Sequence, residues 1–288
     1  MPRQPEQGRI LSGPPEEALR RFYLAEKEQW GKQMPSVGLH PEEEYFLTHY
    51  IGDTRCSVVD VGTAGGRVAI ALAARGHAPV YGFDVVPELI EDARANARLR
   101  HLDIHFDVAD ARSIPLPDNS VDLLIFSAAL LCFLPDESGR MQALSEARRI
   151  VRPGGWLLSS YNLFGSRWFD RGLSLLVSLG RKMSGDGRPG RSLPMLRQNG
   201  RFTIRALSRN GPCAYWYRLD ECVLELVRSG FMLVDMFSSS GLQQSRVHDF
   251  STLGQQGTLY VVGRVPATKQ EIPDPRAALQ PSAQSVSR

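Results

Sequence analysis

Asp60-Val61-Gly62-Thr63-Ala64-Gly65-Gly66 follows the short apolar run Cys56-Ser57-Val58-Val59 and leads into a helix-forming stretch over 66–75 that Gly76 closes. An apolar run of this length, without alternation, reads as a strand covered on both faces, as in parallel sheets. The small residues after it let the backbone turn sharply and approach a ligand, with the amides of the next helix facing that ligand. Alone, such a turn is a weak signal, because many strand-to-helix turns carry two glycines only for packing.

Outward from the loop, strand and helix alternate. Strands are predicted over 80–83, 104–108, 121–126 and 156–161. Helices are predicted over 87–99, with Leu89, Ile90, Ala93 and Ala97 on one face, and over 137–151, stopped by Pro153-Gly154-Gly155. Upstream, a helix is expected over 15–30 and another from Pro41, where proline at the first helical position and Glu42, Glu43 and Glu44 suit the helix dipole. After Tyr161 the rhythm breaks for roughly fifty residues. It resumes with a helix over 220–229 and strands over 232–237 and 259–265, near enough to pair antiparallel at the sheet edge. Strands joined through helices need right-handed crossovers. The expected fold is therefore α/β: an open, doubly wound, mostly parallel sheet of seven strands with helices on both faces. An N-terminal helical lid over 14–51 precedes a main domain over 52–265, with a cap inserted at 163–218 after the fifth strand. Residues 1–13 and 266–288, rich in Pro, Gln, Ser and Arg, are expected to be frayed tails.

In such sheets ligands bind at the carboxyl ends of the strands. Three features fall there at suitable distances. Asp84 ends the second strand, where a carboxylate can accept both hydroxyls of a ribose. Asp110-Ala111 follows the third strand, where a side chain can meet an adenine amino group. Val151-Arg152-Pro153-Gly154-Gly155-Trp156 precedes the fifth. Together with Asp60-x-Gly62-x-Ala64-x-Gly66, these resemble the class I S-adenosylmethionine-dependent methyltransferases of the small-molecule type, whose loop usually has glycine where Ala64 stands. The post-strand-4 stretch from Ser127 to Asp136 is similar as well. The likeness covers roughly residues 52–163. A nicotinamide dehydrogenase shares the fold, but its fingerprint needs Gly-x-Gly-x-x-Gly, and here the series runs Gly62-x-Ala64-x-x-Arg67.

The resemblance implies S-adenosylmethionine as cofactor. It places Asp60 with the loop residues Gly62, Thr63, Ala64 and Gly66 at the methionine portion, Asp84 at the ribose and Val85 against the adenine. Asp110 and Ala111 would flank that base, and Ser127 would line the place where cofactor meets acceptor. Two of these positions have simpler readings: Asp84 as a cap for the helix at Pro87, and Asp110 as a turn aspartate. No catalytic residue is assigned. His40, Tyr161, Asn162, His248 and Asp249 are the polar candidates, and Tyr161-Asn162 is the best placed. Cys132 and Phe133 are expected to form an apolar wall.

Composition sets the outer bounds. The chain has 288 residues, of which 42% are hydrophobic and 23% charged, with a net charge of +3. That is the profile of an ordinary globular protein. The N-terminus, Met1-Pro2-Arg3-Gln4-Pro5-Glu6, has no apolar stretch, so neither a secretory signal nor a membrane partner is expected, and a cytoplasmic location is. Four separated cysteines argue against a disulfide scaffold or a metal site. The insertion is another matter: Arg167, Arg171, Arg181, Arg188, Arg191, Arg197, Arg201, Arg205, Arg209 and Arg218 stand against Asp170 and Asp186 alone. An apolar stripe at Leu173, Leu176, Val177 and Leu179 predicts an amphipathic helix there, its stripe used for packing. A solvated basic face, an acidic or aromatic small molecule as acceptor, and a tRNA or rRNA backbone all fit these arginines, the small molecule ahead of RNA. A non-catalytic partner protein on the same fold is the remaining alternative.

Overall fold

In the computed structural model the N-terminal part is helical. Helix α1 (Pro14–Ala25) is followed by a wide turn at Glu28–Gln33, and α2 (Pro41–Phe46) runs on into a second wide turn at Leu47–Ile51. Then come β1 (Val58–Val61), α3 (Arg67–Ala74), β2 (Val80–Asp84), α4 (Pro87–Leu99), β3 (His105–Val108), β4 (Val121–Phe126), α5 (Glu137–Ile150) and β5 (Val151–Asn162). Beyond them lie α6 (Arg171–Met183) and four short strands: β6 (Ser192–Pro194), β7 (Arg197–Gln198), β8 (Arg201–Phe202) and β9 (Cys213–Tyr215). The chain closes with α7 (Leu219–Arg228), β10 (Met232–Ser238), α8 (Ser239–Gln243) and β11 (Thr258–Arg264). The structure describes residues 14–25, 28–33, 37–134, 136–167, 171–183, 191–194, 197–198, 201–202, 213–243 and 258–268. The expected tail at 1–13, most of that at 266–288, His248 and Asp249 lie outside the described residues.

Seven strands form one sheet in the order β10-β11-β5-β4-β1-β2-β3. Strand β1 pairs in parallel with β2 and β4, while β11 runs antiparallel to both β5 and β10. The order reverses between β1 and β4, so the carboxyl ends of these two strands open the crevice where ligands of such sheets bind. The expected open, mostly parallel sheet of seven strands is the observed one. All four residues of β1 are buried, as a run with no exposed face requires. Leu89, Ile90, Ala93 and Ala97 of α4 are buried together. Each large aliphatic side chain removed from water in this way stabilises the fold by about 1.5–3 kcal/mol.

Two expectations need correction. Pro153-Gly154-Gly155 does not end the helix before a separate strand. Helix α5 stops at Ile150, and the three residues are an excursion inside β5, where the register with β4 slips between Val121 and Leu123. Gly154 donates its amide to Val265 O, so the excursion is satisfied by β11's end and not by β4. The second concerns the insertion helix. Leu176 and Leu179 of its expected packing stripe are exposed in α6, because no described element lies over that face.

Candidate functional site

The glycine loop is built by close approach. The amide of Gly65 donates to Trp30 O (3.2 Å). The Asn96 side chain, from α4, bridges Gly31 O (2.8 Å) and Gly65 O (3.0 Å). A Cβ at Gly65 would stand 2.3 Å from Gly31 O, so only glycine lets the N-terminal turn rest on the loop. Gly62 and Ala64 both take left-handed backbone, with φ of 75° and 47°. For Ala64 this conformation costs about 1–2 kcal/mol, and its amide is satisfied there by Asp84 Oδ2 (2.9 Å).

Two carboxylates sit at the strand ends. Asp60 is fully buried; its Oδ2 accepts from Thr63 Oγ1 (2.7 Å) and the Ala69 amide (3.3 Å). Its Oδ1 is buried without a partner among the described residues. Burial pushes the carboxyl up to about 6, against the Thr63 hydrogen bond and the nearby Arg67 charge. Asp84 is likewise pushed up to about 6 by burial, although the amides of Val86 (3.0 Å) and Ala64 hold it lower than burial alone would. A buried carboxylate left short of donors is the mark of a site shaped for something the chain does not itself supply.

These groups open onto one cavity of about 370 Å³, within the range of small-molecule clefts. Of the residues singled out from sequence, Asp60, Gly62, Thr63, Ala64, Asp84, Val85, Asp110, Ala111 and Ser127 all line it. Gly66 does not. It begins α3 behind the loop, where an added Cβ would meet Phe106 at 2.9 Å. The Asp110 carboxylate is held by Arg112, with Nη2 at 2.6 Å from Oδ2 and Nε at 3.0 Å from Oδ1. Asp84 caps no helix as its terminal residue; Val86 takes that position. Among the catalytic candidates, His40 and Asn162 line the cavity, whereas Tyr161 is buried in the core and hydrogen-bonded to Ser159. Phe133 lines the cavity as expected, and Cys132 lies behind it, its thiol pushed up to about 12 by burial.

Sequence reasoning expected a helical lid over 14–51 but singled out neither Tyr23 nor Trp30 as lining the site. Tyr23 and Trp30 line the cavity from above, and Tyr23 meets both Trp30 and Phe133 edge-on at ring distances of 5.9 and 6.1 Å. It also missed the pairing of Arg67 with Glu43, both buried, joined by two hydrogen bonds of 2.6 Å each. Arg67 also reaches Gly38 O (2.9 Å), and the His40 amide donates to Glu43 (2.8 Å). The residue that breaks the dinucleotide fingerprint thus ties α2 to the loop. Glu43 carried a hint in its place in the first turn of α2, but a pair 24 residues apart leaves no local pattern to read. Tyr260 of β11 completes the wall.

Among the described residues no group of histidine, cysteine and carboxylate side chains could hold a metal ion, and no helix is long and apolar enough to cross a membrane.

An open sheet with its crevice at β1 and β4, a left-handed glycine loop and two buried carboxylates at successive strand ends define a class I methyltransferase fold with a nucleoside-sized site. Residues 58–155 match the family described as "Methyltransferase domain", and the fold around them is that of S-adenosylmethionine-dependent methyltransferases. The chain is 31% identical over 147 residues to a demethylmenaquinone methyltransferase of Thermus thermophilus, covering 48% of this chain and 64% of that one. It is 30% identical over 146 residues to a ubiquinone/menaquinone biosynthesis C-methyltransferase of Bdellovibrio bacteriovorus, covering 49% and 60%. The matched part thus spans less than two thirds of these relatives. A solved S-adenosylmethionine-dependent methyltransferase from Methanosarcina mazei superimposes with a TM-score of 0.60 at 18% identity, over 80% of this chain and 100% of that one. That likeness is one of fold.

Proposed function

We propose that this chain transfers a methyl group from S-adenosylmethionine to a small-molecule acceptor with an aromatic or quinone-like ring. The observation that carries the reading is the pair Asp60 and Asp84, buried and raised to about 6, on one cavity with the left-handed loop. Asp84 would accept the ribose hydroxyls, and Asp60, with its unpartnered Oδ1, the donors of the methionine portion. Val85 and Ala111 would face the adenine. Asp110, its carboxylate held by the Arg112 amide and guanidinium, would flank the same base.

When bound, S-adenosylmethionine supplies an electrophilic methyl carbon. What the chain supplies is alignment and the exclusion of water. Tyr23, Trp30 and Phe133 give the cavity an aromatic wall suited to a flat acceptor. The Tyr260 hydroxyl meets no described partner, and burial, with Glu43 and Glu42 nearby, raises it above its ordinary value. It therefore stays protonated and serves as a donor that orients an acceptor oxygen, not as a base. His40 is the imidazole placed to take a proton if the acceptor brings one. The relatives named as quinone methyltransferases favour a ring over an acidic metabolite. Of the insertion's arginines, Arg191 and Arg218, whose side chains are described, pair with Glu221 and Asp220 and so offer no support for RNA.

Calorimetry with S-adenosylhomocysteine is the test. Binding is expected in the wild type and at least about 30-fold weaker in Asp84→Ala, which removes two charge-assisted hydrogen bonds. Labelled methyl should then pass to members of a panel of hydroquinones and phenols. A folded wild type that binds no ligand would sink the enzyme reading, and transfer to tRNA or rRNA alone would sink the small-molecule acceptor.

A further inference from the structure

Helix α6 presents a bare face to solvent. Leu175, Leu176, Leu179 and Met183 are 43%, 68%, 56% and 82% exposed. At about 100° per residue these four fall within an arc of about 100° on one side of the helix. They make a continuous apolar stripe. The other large hydrophobic side chains exposed among the described residues, Val37, Leu99 and Val234, stand singly on separate elements and need no explanation. The helix carries Arg171, Arg181 and Lys182 and no acidic residue. The segment around it, 163–218, holds eleven basic residues against two acidic ones.

We infer that α6 is an interfacial helix by which the chain docks on an anionic phospholipid surface. A 13-residue helix is about 20 Å long, too short for the roughly 30 Å of a bilayer core. It can lie in the headgroup region, with its leucines among the upper acyl carbons and its cations beside phosphates. Composition excludes a span; a helix lying flat is a different case. The other occupants fit worse. A nucleic acid backbone uses the charge but leaves four aliphatic side chains in water, with no aromatic on α6 for a base to stack on. A second copy would cover the stripe but set three cations against three more, which opposes self-association.

The experiment is sedimentation of the full chain with sucrose-loaded vesicles, of phosphatidylcholine alone or mixed equally with phosphatidylglycerol. Partition onto the mixed vesicles is expected, falling about tenfold in the double variant Leu176→Ser/Leu179→Ser. Lys182→Glu should weaken partition less and reduce its dependence on salt. All three altered positions are solvent-exposed, and an unchanged unfolding midpoint with unchanged S-adenosylhomocysteine binding shows the variants folded. The proposal is overturned if the wild type ignores mixed vesicles at low salt, or if the serine variant binds them as well as the wild type does. A concentration-dependent dimer abolished by the same substitutions, or binding to RNA in preference to vesicles, would overturn it equally.

Discussion

Two buried arginine–glutamate pairs hold this molecule together, and they differ in what lies beside them. Arg67–Glu43 ties α2 to the glycine loop and opens onto the cavity next to Asp60. Arg140–Glu225 ties α5 to α7 and is sealed. Glu225 also accepts from the Tyr217 hydroxyl (2.8 Å), and the Arg140 guanidinium lies 4.0 Å over the Tyr215 ring. The chemistry is the same, but the loss of one partner has different consequences. A charge stranded in a sealed site has no water to turn to, whereas one beside a cavity does. The sealed pair is a matter of stability; the open one is also a matter of the site's electrostatics.

The largest effect is expected where the seal is broken. Glu225→Ala should cost about 3–5 kcal/mol in urea unfolding and leave the ligand affinity of the folded protein unchanged. Glu43→Ala should cost less, about 1–3 kcal/mol, yet weaken S-adenosylhomocysteine binding roughly tenfold, because the freed guanidinium then competes for Asp60. Equal stability losses with no change in affinity would make the two pairs equivalent staples and dissolve the contrast.

The same electrostatics can be read by pH. Asp60 and Asp84 are raised to about 6, above an unfolded value of about 4. A carboxyl raised on folding contributes stability fully present below about pH 4 and lost as pH climbs through about 6. The ligand-free fold should therefore weaken between those limits from these two groups. A ligand that donates to both carboxylates favours their ionised forms, so its affinity should rise through the same window. Calorimetry is expected to show affinity flat above pH 7 and up to about a hundredfold lower at pH 5, about tenfold for each carboxylate; affinity constant over that range would mean that neither carboxylate takes the ligand's donors.

The smallest change sharpens the loop itself. Ala64→Gly removes a methyl from left-handed backbone, a gain of about 1 kcal/mol largely offset by the freer unfolded chain. A stability change within about 0.5 kcal/mol and unaltered affinity are expected. A tenfold loss of affinity would show instead that the methyl itself touches the ligand.

The parts of this fold that were legible in sequence are those whose signal is local. Strand β4 and helix α4 fall where periodicity and Pro87 place them, and the end of the cavity lined by the loop and the two carboxylates follows from small residues and acids at strand ends. The excursion at Pro153 was not legible, because a proline and two glycines end a helix as readily as they bulge a strand. The stripe of α6 has the period of a packed helix, and period alone does not say whether anything lies over it. The Arg67–Glu43 and Arg140–Glu225 pairs join residues 24 and 85 apart, and nothing along the chain announces such partners.

The bond between Gly65 and the N-terminal turn bears on where this unit can be cut. The family match begins at Val58, yet the Gly65 amide finds its acceptor at Trp30, and the Asn96 side chain finds one of its two at Gly31. A fragment excised at 58–155 would keep every motif residue and lose those two acceptors, the Glu43 counter-charge and the Tyr260 wall together. The recognisable stretch is smaller than the self-sufficient one, and the missing pieces come from both sides of it.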